Sequence, residues 1–69
     1  MSRSARVVIA STRASAGVYD DRCGPIIAGW LTARGFDVPA PAVVADGPAV
    51  GRALRAAVDD RADVVITSG

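Results

Sequence analysis

Three short apolar runs, Val7-Val8-Ile9, Ala42-Val43-Val44 and Val64-Val65-Ile66, alternate with two longer stretches in which apolar residues recur at helical spacing. A branched run without polar interruption predicts a strand covered on both faces, as in the middle of a parallel sheet. The first strand is expected over residues 6–11, followed by a polar loop over residues 12–20. In the first spaced stretch Cys23, Ile26, Ile27, Trp30 and Leu31 fall at i, i+3, i+4, i+7 and i+8, which predicts one apolar stripe on a helix and makes Cys23 and Trp30 core residues. Asp20 or Asp21 can cap that helix, Pro25 is tolerable only in its first turn, and Gly35 ends it. Pro39 and Pro41 each remove a backbone donor, so the regular part of the second strand is expected at residues 42–45, on an edge. Val50, Ala53, Leu54, Ala57 and Val58 repeat the helical spacing. Pro48 stands near the start of this second helix, Asp46 or Gly47 is its cap, and Arg55 and Asp59 are placed for an i,i+4 ion pair on its wet side. It ends near Arg61, and the last strand begins at Asp63.

The predicted order is therefore strand, helix, strand, helix, strand. Helices of about a dozen residues between apolar strands imply parallel pairing and right-handed crossovers. The expected fold class is α/β, a βαβαβ half of a doubly wound, mostly parallel sheet with the first strand in the middle. The 69 residues allow one small domain. Chains of this size bury only about 60% of their unfolded surface, so more chain or a partner is expected to complete the core.

Charge narrows the chemistry more by its kinds than by its sum. All eight basic residues are Arg and all seven acidic ones are Asp, with no Lys, Glu or His. A Walker-type lysine, a Ser-His-Asp triad and a His-ligated zinc are thereby excluded within these residues. The single cysteine, Cys23, rules out an internal disulfide and fits a reducing compartment. A net charge of +1 gives no reason to expect nucleic acid, and no apolar run is long enough for a membrane span. A soluble, cytoplasmic protein is expected.

Open parallel sheets bind ligands beyond the carboxyl ends of their strands. Here the segments at those ends are residues 11–20, 46–48 and 67–69. Ser68 and Gly69 can offer backbone N–H groups and a hydroxyl to phosphate, Arg13 can pair with it in a bidentate way, and Asp46 could hold a magnesium ion. Each has an ordinary structural alternative. On local pattern alone Asp46 before Gly-Pro reads as an N-cap ahead of a ligand, Ser11, Thr12 and Ser15 are common loop residues, and many strands end in Thr-Ser-Gly.

Read together, residues 7–21 (Val-Val-Ile-Ala-Ser-Thr-Arg-Ala-Ser-Ala-Gly-Val-Tyr-Asp-Asp), Gly24-Pro25, Val44-Ala45-Asp46 and residues 64–69 (Val-Val-Ile-Thr-Ser-Gly) resemble the amino-terminal part of a known family. This is the molybdenum cofactor biosynthesis family of molybdopterin adenylyltransferases, which includes the bacterial Mog and MoaB-type proteins and the gephyrin G domain. The resemblance implies a molybdopterin-binding-like, three-layer fold of which residues 1–69 are the amino-terminal part, so that the domain is truncated here. It implies molybdopterin and ATP as substrates, Mg as cofactor, and adenylyl transfer in the complete domain but not in this fragment alone. A non-catalytic molybdopterin-binding or trimeric assembly module is the alternative, and a homotrimer is expected of the complete form. By resemblance Thr67, Ser68 and Gly69 begin the ligand loop, and Asp46 matches an aspartate important for activity. Ser11, Arg13, Ser15, Gly17 and Tyr19 match the substrate-binding loop after the first strand. Thr12 stands where the family commonly has Asp.

Overall fold

The structure is a computed structural model and describes residues 3–17 and 21–68. Its elements in chain order are β1 (Arg3–Ala10), α1 (Thr12–Ser15), α2 (Cys23–Ala33), β2 (Phe36–Asp37), β3 (Ala42–Val44), α3 (Pro48–Asp59) and β4 (Val64–Ser68). All strand pairing among the described residues is parallel and centres on β1. On one side β4 lies in register with residues 5–9 of β1, Ala5 opposite Val64 and Ile9 opposite Ser68. The other side is shared by β2, at Arg3 and Ser4, and β3, at residues 8–10. Residues 38–41 thus run past residues 5–7 of β1 with one residue to spare, and Pro39 and Pro41 are where this edge strand breaks. The prolines act as the sequence suggests, and the regular part that follows them is Ala42–Val44.

A central strand needs a layer on each face, and β1 has both. Val7 and Val8 point to opposite faces and are each only 2% exposed. Ala5, Val7 and Ile9 form one core with Leu31 of α2, joined by Ile27, Ala28, Phe36, Val43 and Ile66. Val8 belongs to the other face, which Ala53 and Ala57 of α3 approach. The small alanine side chains leave a cavity of about 160 Å³ under α3, and Arg6 and Asp60 meet at its rim, 3.9 Å apart. Asp60 is largely solvated and the contact is long, so the pair contributes little to stability.

The strand ends are closed by specific bonds. Asp63, expected as the first residue of the last strand, lies just before β4 and exchanges two bonds with Ser4. Its N–H donates to Ser4 O at 2.8 Å and its Oδ2 accepts from Ser4 N at 2.7 Å. β1 begins at Arg3, three residues earlier than the apolar run suggests, because β2 and Asp63 supply partners there. Helix α3 ends with Ala62 N–H donating to Ala57 O and Arg61 N–H to Val58 O, a closure that puts Arg61 at φ 60°.

Several local expectations need correction. Residues 12–15 are not loop but the short helix α1. The apolar stripe of α2 is turned by about one residue relative to the sequence pattern. Its inward positions are Gly24, Ile27, Ala28 and Leu31, while Cys23 is exposed, Ile26 is 71% exposed and Trp30 is 52% exposed. Trp30 instead lies under the Arg34 guanidinium, 3.6 Å from its ring centre, one turn along the wet face. Val58, the last member of the second stripe, is 67% exposed. Arg55 and Asp59 do not approach to ion-pair distance, and Arg6 with Asp60 is the ion pair found among the described residues.

No helix among the described residues is long and apolar enough to cross a membrane.

Candidate functional site at the carboxyl edge of the sheet

Because all pairing with β1 is parallel, the carboxyl ends of the strands lie along one edge, and the segments that follow them leave from that edge. Ser68 of β4 is opposite Ile9, and Val44 of β3 is opposite Ala10. Immediately beyond, Ser11 N–H donates to Val44 O at 2.8 Å, extending the ladder between β1 and β3 by one step. One residue further, the backbone N–H of Asp46 donates to Thr12 Oγ1 at 3.2 Å. The loops after β1 and β3 are therefore joined at two points, with Asp46 at the second.

Ser11 is the N-cap of α1. It has extended backbone angles, φ −151° and ψ 110°, and its Oγ accepts from Ala14 N at 3.2 Å. The carbonyls of Ser11 and Thr12 accept from Ser15 N and Ala16 N, and Ser15 Oγ donates to Thr12 O at 2.9 Å. The hydroxyl of Ser15 is thus engaged within the turn, yet its oxygen retains acceptor capacity for a ligand. Gly17 closes the turn at φ 77°, a conformation that favours glycine. Arg13 is exposed and makes no hydrogen bond or ion pair with the described residues. The short helix α1 packs against β3 and so keeps Arg13 at this edge.

Asp46 sits between the end of β3 and the N-cap of α3. The cap is Gly47, at φ 101°, with Pro48 opening the helix, and no side chain caps it. The carboxylate of Asp46 is therefore not used as a cap. It is exposed and makes no hydrogen bond or ion pair with the described residues. No group of three or more His, Cys, Asp or Glu gathers to hold a metal among the described residues. A single exposed carboxylate suits a magnesium ion only when phosphates complete the coordination, as for a nucleotide-bound ion.

Thr67 is exposed and Ser68 half-buried at the end of β4, with Ser68 separated from β3 by β1 alone. The structure brings Ser11, Thr12, Arg13, Ser15, Gly17, Asp46, Thr67 and Ser68 to one edge. Tyr19, Asp20 and Gly69, also expected in or beside the site, lie outside the described residues. Sequence reasoning missed the role of Thr12. Its position directly after the strand-ending serine was the available signal, but the partner is 34 residues away and no local pattern marks it.

An arginine, hydroxyl groups and a carboxylate with no partner among the described residues, at the carboxyl edge of a parallel sheet, suit a phosphate-bearing ligand. Comparison with known proteins agrees in fold. A solved structure titled "anomalous substructure of MogA" superposes with a TM-score of 0.94 at 63% identity, covering 97% of this chain and 44% of that one. "The structure of the Molybdopterin biosynthesis Mog protein from Mycobacterium ulcerans" superposes with a TM-score of 0.89 at 59% identity, with the same coverage of 97% and 44%. A curated relative, the "Molybdenum cofactor biosynthesis bifunctional protein" of Synechococcus elongatus, is 33% identical over 66 residues, which is 94% of this chain and 21% of that protein. The chain thus spans less than half the length of the proteins it matches. The model of the family described as "Probable molybdopterin binding domain" matches residues 6–69, nearly the whole chain, and the chain belongs to that family.

Proposed function

We propose that a domain of full family length carrying these residues binds molybdopterin and transfers AMP from ATP to the molybdopterin phosphate, as a step of molybdenum cofactor biosynthesis. In this reaction a phosphate oxygen of molybdopterin attacks the α-phosphorus of ATP. The bond from that phosphorus to the oxygen bridging it to the β-phosphate breaks, pyrophosphate leaves, and AMP remains joined to molybdopterin through a new phosphoanhydride bond. Such transfers depend mainly on placing the reacting phosphates and neutralising their charge, so no nucleophilic side chain is required. The observation that supports this reading is the joining of the β1 and β3 loops beside the end of β4, which gathers Arg13, Asp46 and Ser68 at one edge.

Each group has a distinct part. Arg13, without an internal ion pair among the described residues, offers a bidentate contact to a phosphate. Ser68 offers its hydroxyl, with Thr67 beside it and Gly69 continuing the same loop in sequence. Ser11, Ser15 and Gly17 shape the turn that presents Arg13, and Tyr19 follows Gly17 two residues on in sequence. Magnesium, when bound with the nucleotide, neutralises phosphate charge, and Asp46 is the carboxylate we assign to hold it. The site as assigned has contributions from three segments only, so the reaction belongs to the complete domain and the 69-residue chain alone is expected to be inactive. We place the reaction in the cytoplasm, in keeping with a single, exposed cysteine that forms no disulfide.

The test is direct. A complete domain incubated with ATP, Mg²⁺ and molybdopterin should release pyrophosphate and form the adenylylated pterin, while the 69-residue chain should not. Asp46→Asn in the complete domain should lower turnover at least tenfold with the thermal midpoint within a few degrees, because the carboxylate caps nothing and is solvent-exposed. Unchanged turnover in Asp46→Asn would remove Asp46 from the mechanism.

A second reading is favoured by the exposed Ile26 and Trp30 on α2, which suit an assembly surface. In that reading the domain is a non-catalytic molybdopterin-binding module, assembled as a homotrimer. Separate calorimetric titrations with molybdopterin and with ATP distinguish the two, since a pure pterin binder ignores ATP, and sedimentation of the complete domain reports the trimer.

A further inference from the structure

The carboxylate assigned above to magnesium has no side-chain restraint among the described residues, so what aims it must act through the backbone. Two bonds do so. Ser11 N–H holds Val44 O at 2.8 Å, which fixes the chain at the end of β3. Two residues later the N–H of Asp46 donates to Thr12 Oγ1 at 3.2 Å. Beyond it, Gly47 turns the chain at φ 101° into α3, whose first turn closes with Val50 N–H on Gly47 O at 3.0 Å. Asp46 therefore lies on a short bridge between a strand end and a helix start. The Thr12 hydroxyl grips the middle of that bridge.

Thr12 is itself well anchored. It is the first residue of α1, directly after the Ser11 cap, and its carbonyl accepts from both Ala16 N at 3.1 Å and Ser15 Oγ at 2.9 Å. A short side chain on such a backbone has few ways to move, so the position of its hydroxyl is set by β1 and α1 rather than by the loop it contacts. A hydrogen bond to the amide of a residue restrains the peptide plane before it, and with it the direction of that residue's Cα–Cβ bond.

We infer that Thr12 is a positioning residue. Its hydroxyl accepts the amide hydrogen of Asp46 and holds the Asp46 carboxylate at the rim shared by the β1 and β3 loops, in the orientation that receives a phosphate-bound magnesium ion. The inference rests on the reading of Asp46 given above and extends it to a residue that touches neither substrate nor metal. It requires a hydroxyl, or another short acceptor, at position 12. A methyl in its place keeps the shape and loses the grip.

The experiment uses a domain of full family length in four forms: unaltered, Thr12→Val, Thr12→Ser and Asp46→Asn. Mg²⁺ is titrated calorimetrically in the presence of α,β-methylene ATP, a non-reacting analogue. Amide exchange at residue 46 and the thermal midpoint are followed in parallel, and the Mg²⁺ dependence of turnover is set against kcat at saturating Mg²⁺. Thr12→Val should weaken Mg²⁺ binding about three- to tenfold, the equivalent of one net hydrogen bond, and speed exchange of the residue 46 amide. Its kcat at saturating Mg²⁺ should stay within about twofold and its midpoint within a few degrees, because the bond is exposed and outside the core. Thr12→Ser, which keeps the hydroxyl, should restore both Mg²⁺ affinity and amide protection. Should Thr12→Val fail to fold, Thr12→Ala is measured in its place against the same Thr12→Ser rescue. Unchanged Mg²⁺ affinity in the valine or alanine form overturns the inference, as does a loss that the serine form shares or a loss confined to the thermal midpoint. If Asp46→Asn weakens Mg²⁺ binding and Thr12→Val does not, only the role of Thr12 falls. If Asp46→Asn binds Mg²⁺ as the unaltered domain does, the assignment of Asp46 falls and the positioning role with it.

Discussion

Replacing Gly24 by alanine separates local propensity from tertiary packing, because the two predict opposite signs. Gly24 is the second residue of α2, is buried, and donates its N–H to Asp21 Oδ1 at 3.1 Å. A Cβ built on it would stand 2.9 Å from Pro41 Cβ and 3.0 Å from Pro41 Cγ, and would collide with Asp21 Oδ2. The proline ring is rigid and belongs to the break between β2 and β3, so it cannot swing aside as a flexible side chain could. Asp21 can move only by giving up its bond to Gly24 N. Overpacking of this kind costs about 1–3 kcal/mol. Losing the bond that Asp21 makes to the helix start costs about 1 kcal/mol more. Against this, alanine is favoured over glycine in a helix by about 1 kcal/mol. The net expectation is a loss of about 1–3 kcal/mol. Gly29, five residues on in the same helix, supplies the contrast, since it is exposed and nothing lies within 4 Å of the Cβ it would gain. There Gly29→Ala should stabilise by about 0.5–1 kcal/mol, propensity acting alone. Reversible urea unfolding of the complete domain, with the denaturant slope checked for constancy, measures both. A Gly24→Ala form as stable as the unaltered domain would refute the close approach of α2 to Pro41, and with it the account of how α2 is oriented.

Two further stability predictions test the ends of elements. Arg61→Gly should stabilise by about 1 kcal/mol in the same unfolding assay, because Arg61 occupies φ 60°, where a Cβ is costly and glycine is not. No gain would mean that the arginine side chain offsets its backbone strain. Asp63→Ala should cost about 1 kcal/mol and expose the Ser4 amide to faster exchange, since Asp63 Oδ2 accepts from that amide at 2.7 Å. Unaltered protection of Ser4 would show that this carboxylate does not close the amino end of the β1–β4 pair.

Much of the architecture is legible in the sequence because it follows from properties that act locally. The unbroken apolar runs identify β1 and β4, Pro48 and Gly47 mark the start of α3, and Gly35 marks the end of α2 with φ 88°. The prolines at positions 39 and 41 locate the break in the edge strand, since a missing donor has the same effect in any fold. For the candidate site, the sequence shows which segments meet, because parallel strands send their carboxyl ends to one edge whatever the loops contain. How the loops are joined is not legible in this way. The Thr12 to Asp46 bond and the step from Ser11 to Val44 connect residues more than thirty positions apart, and each depends on strand register, which no local pattern sets. The turn of α1 is hidden for another reason. Residues 12–15 have no apolar stripe to bury, and their helix is held by the Ser11 cap and by packing on β3.

The orientation of α2 shows where periodicity stops being informative. Cys23, Ile26, Ile27, Trp30 and Leu31 make a valid stripe, but so do Gly24, Ile27, Ala28 and Leu31, offset by one position and sharing Ile27 and Leu31. Counting apolar area chooses the first set, because Trp30 and Ile26 are large. The second set is the one turned inward, and it is made of smaller residues. Size is the reason: the side of α2 that meets the sheet starts at Gly24, where the helix comes so close to Pro41 that a side chain has no room. A helix pinned at that point cannot also turn Trp30 inward, since residues 24 and 30 lie on widely separated faces at 100° per residue. The close contact is made at the glycine, and the tryptophan is left at the surface with Arg34 over its ring. The same geometry leaves Ile26 and Trp30 one turn apart on the outer side of α2, an apolar pair whose exposure is a consequence of packing at the other side of the helix. Burial of that pair by another chain would therefore require no change in α2, whereas an inward turn of Trp30 within this chain would require Gly24 to leave Pro41.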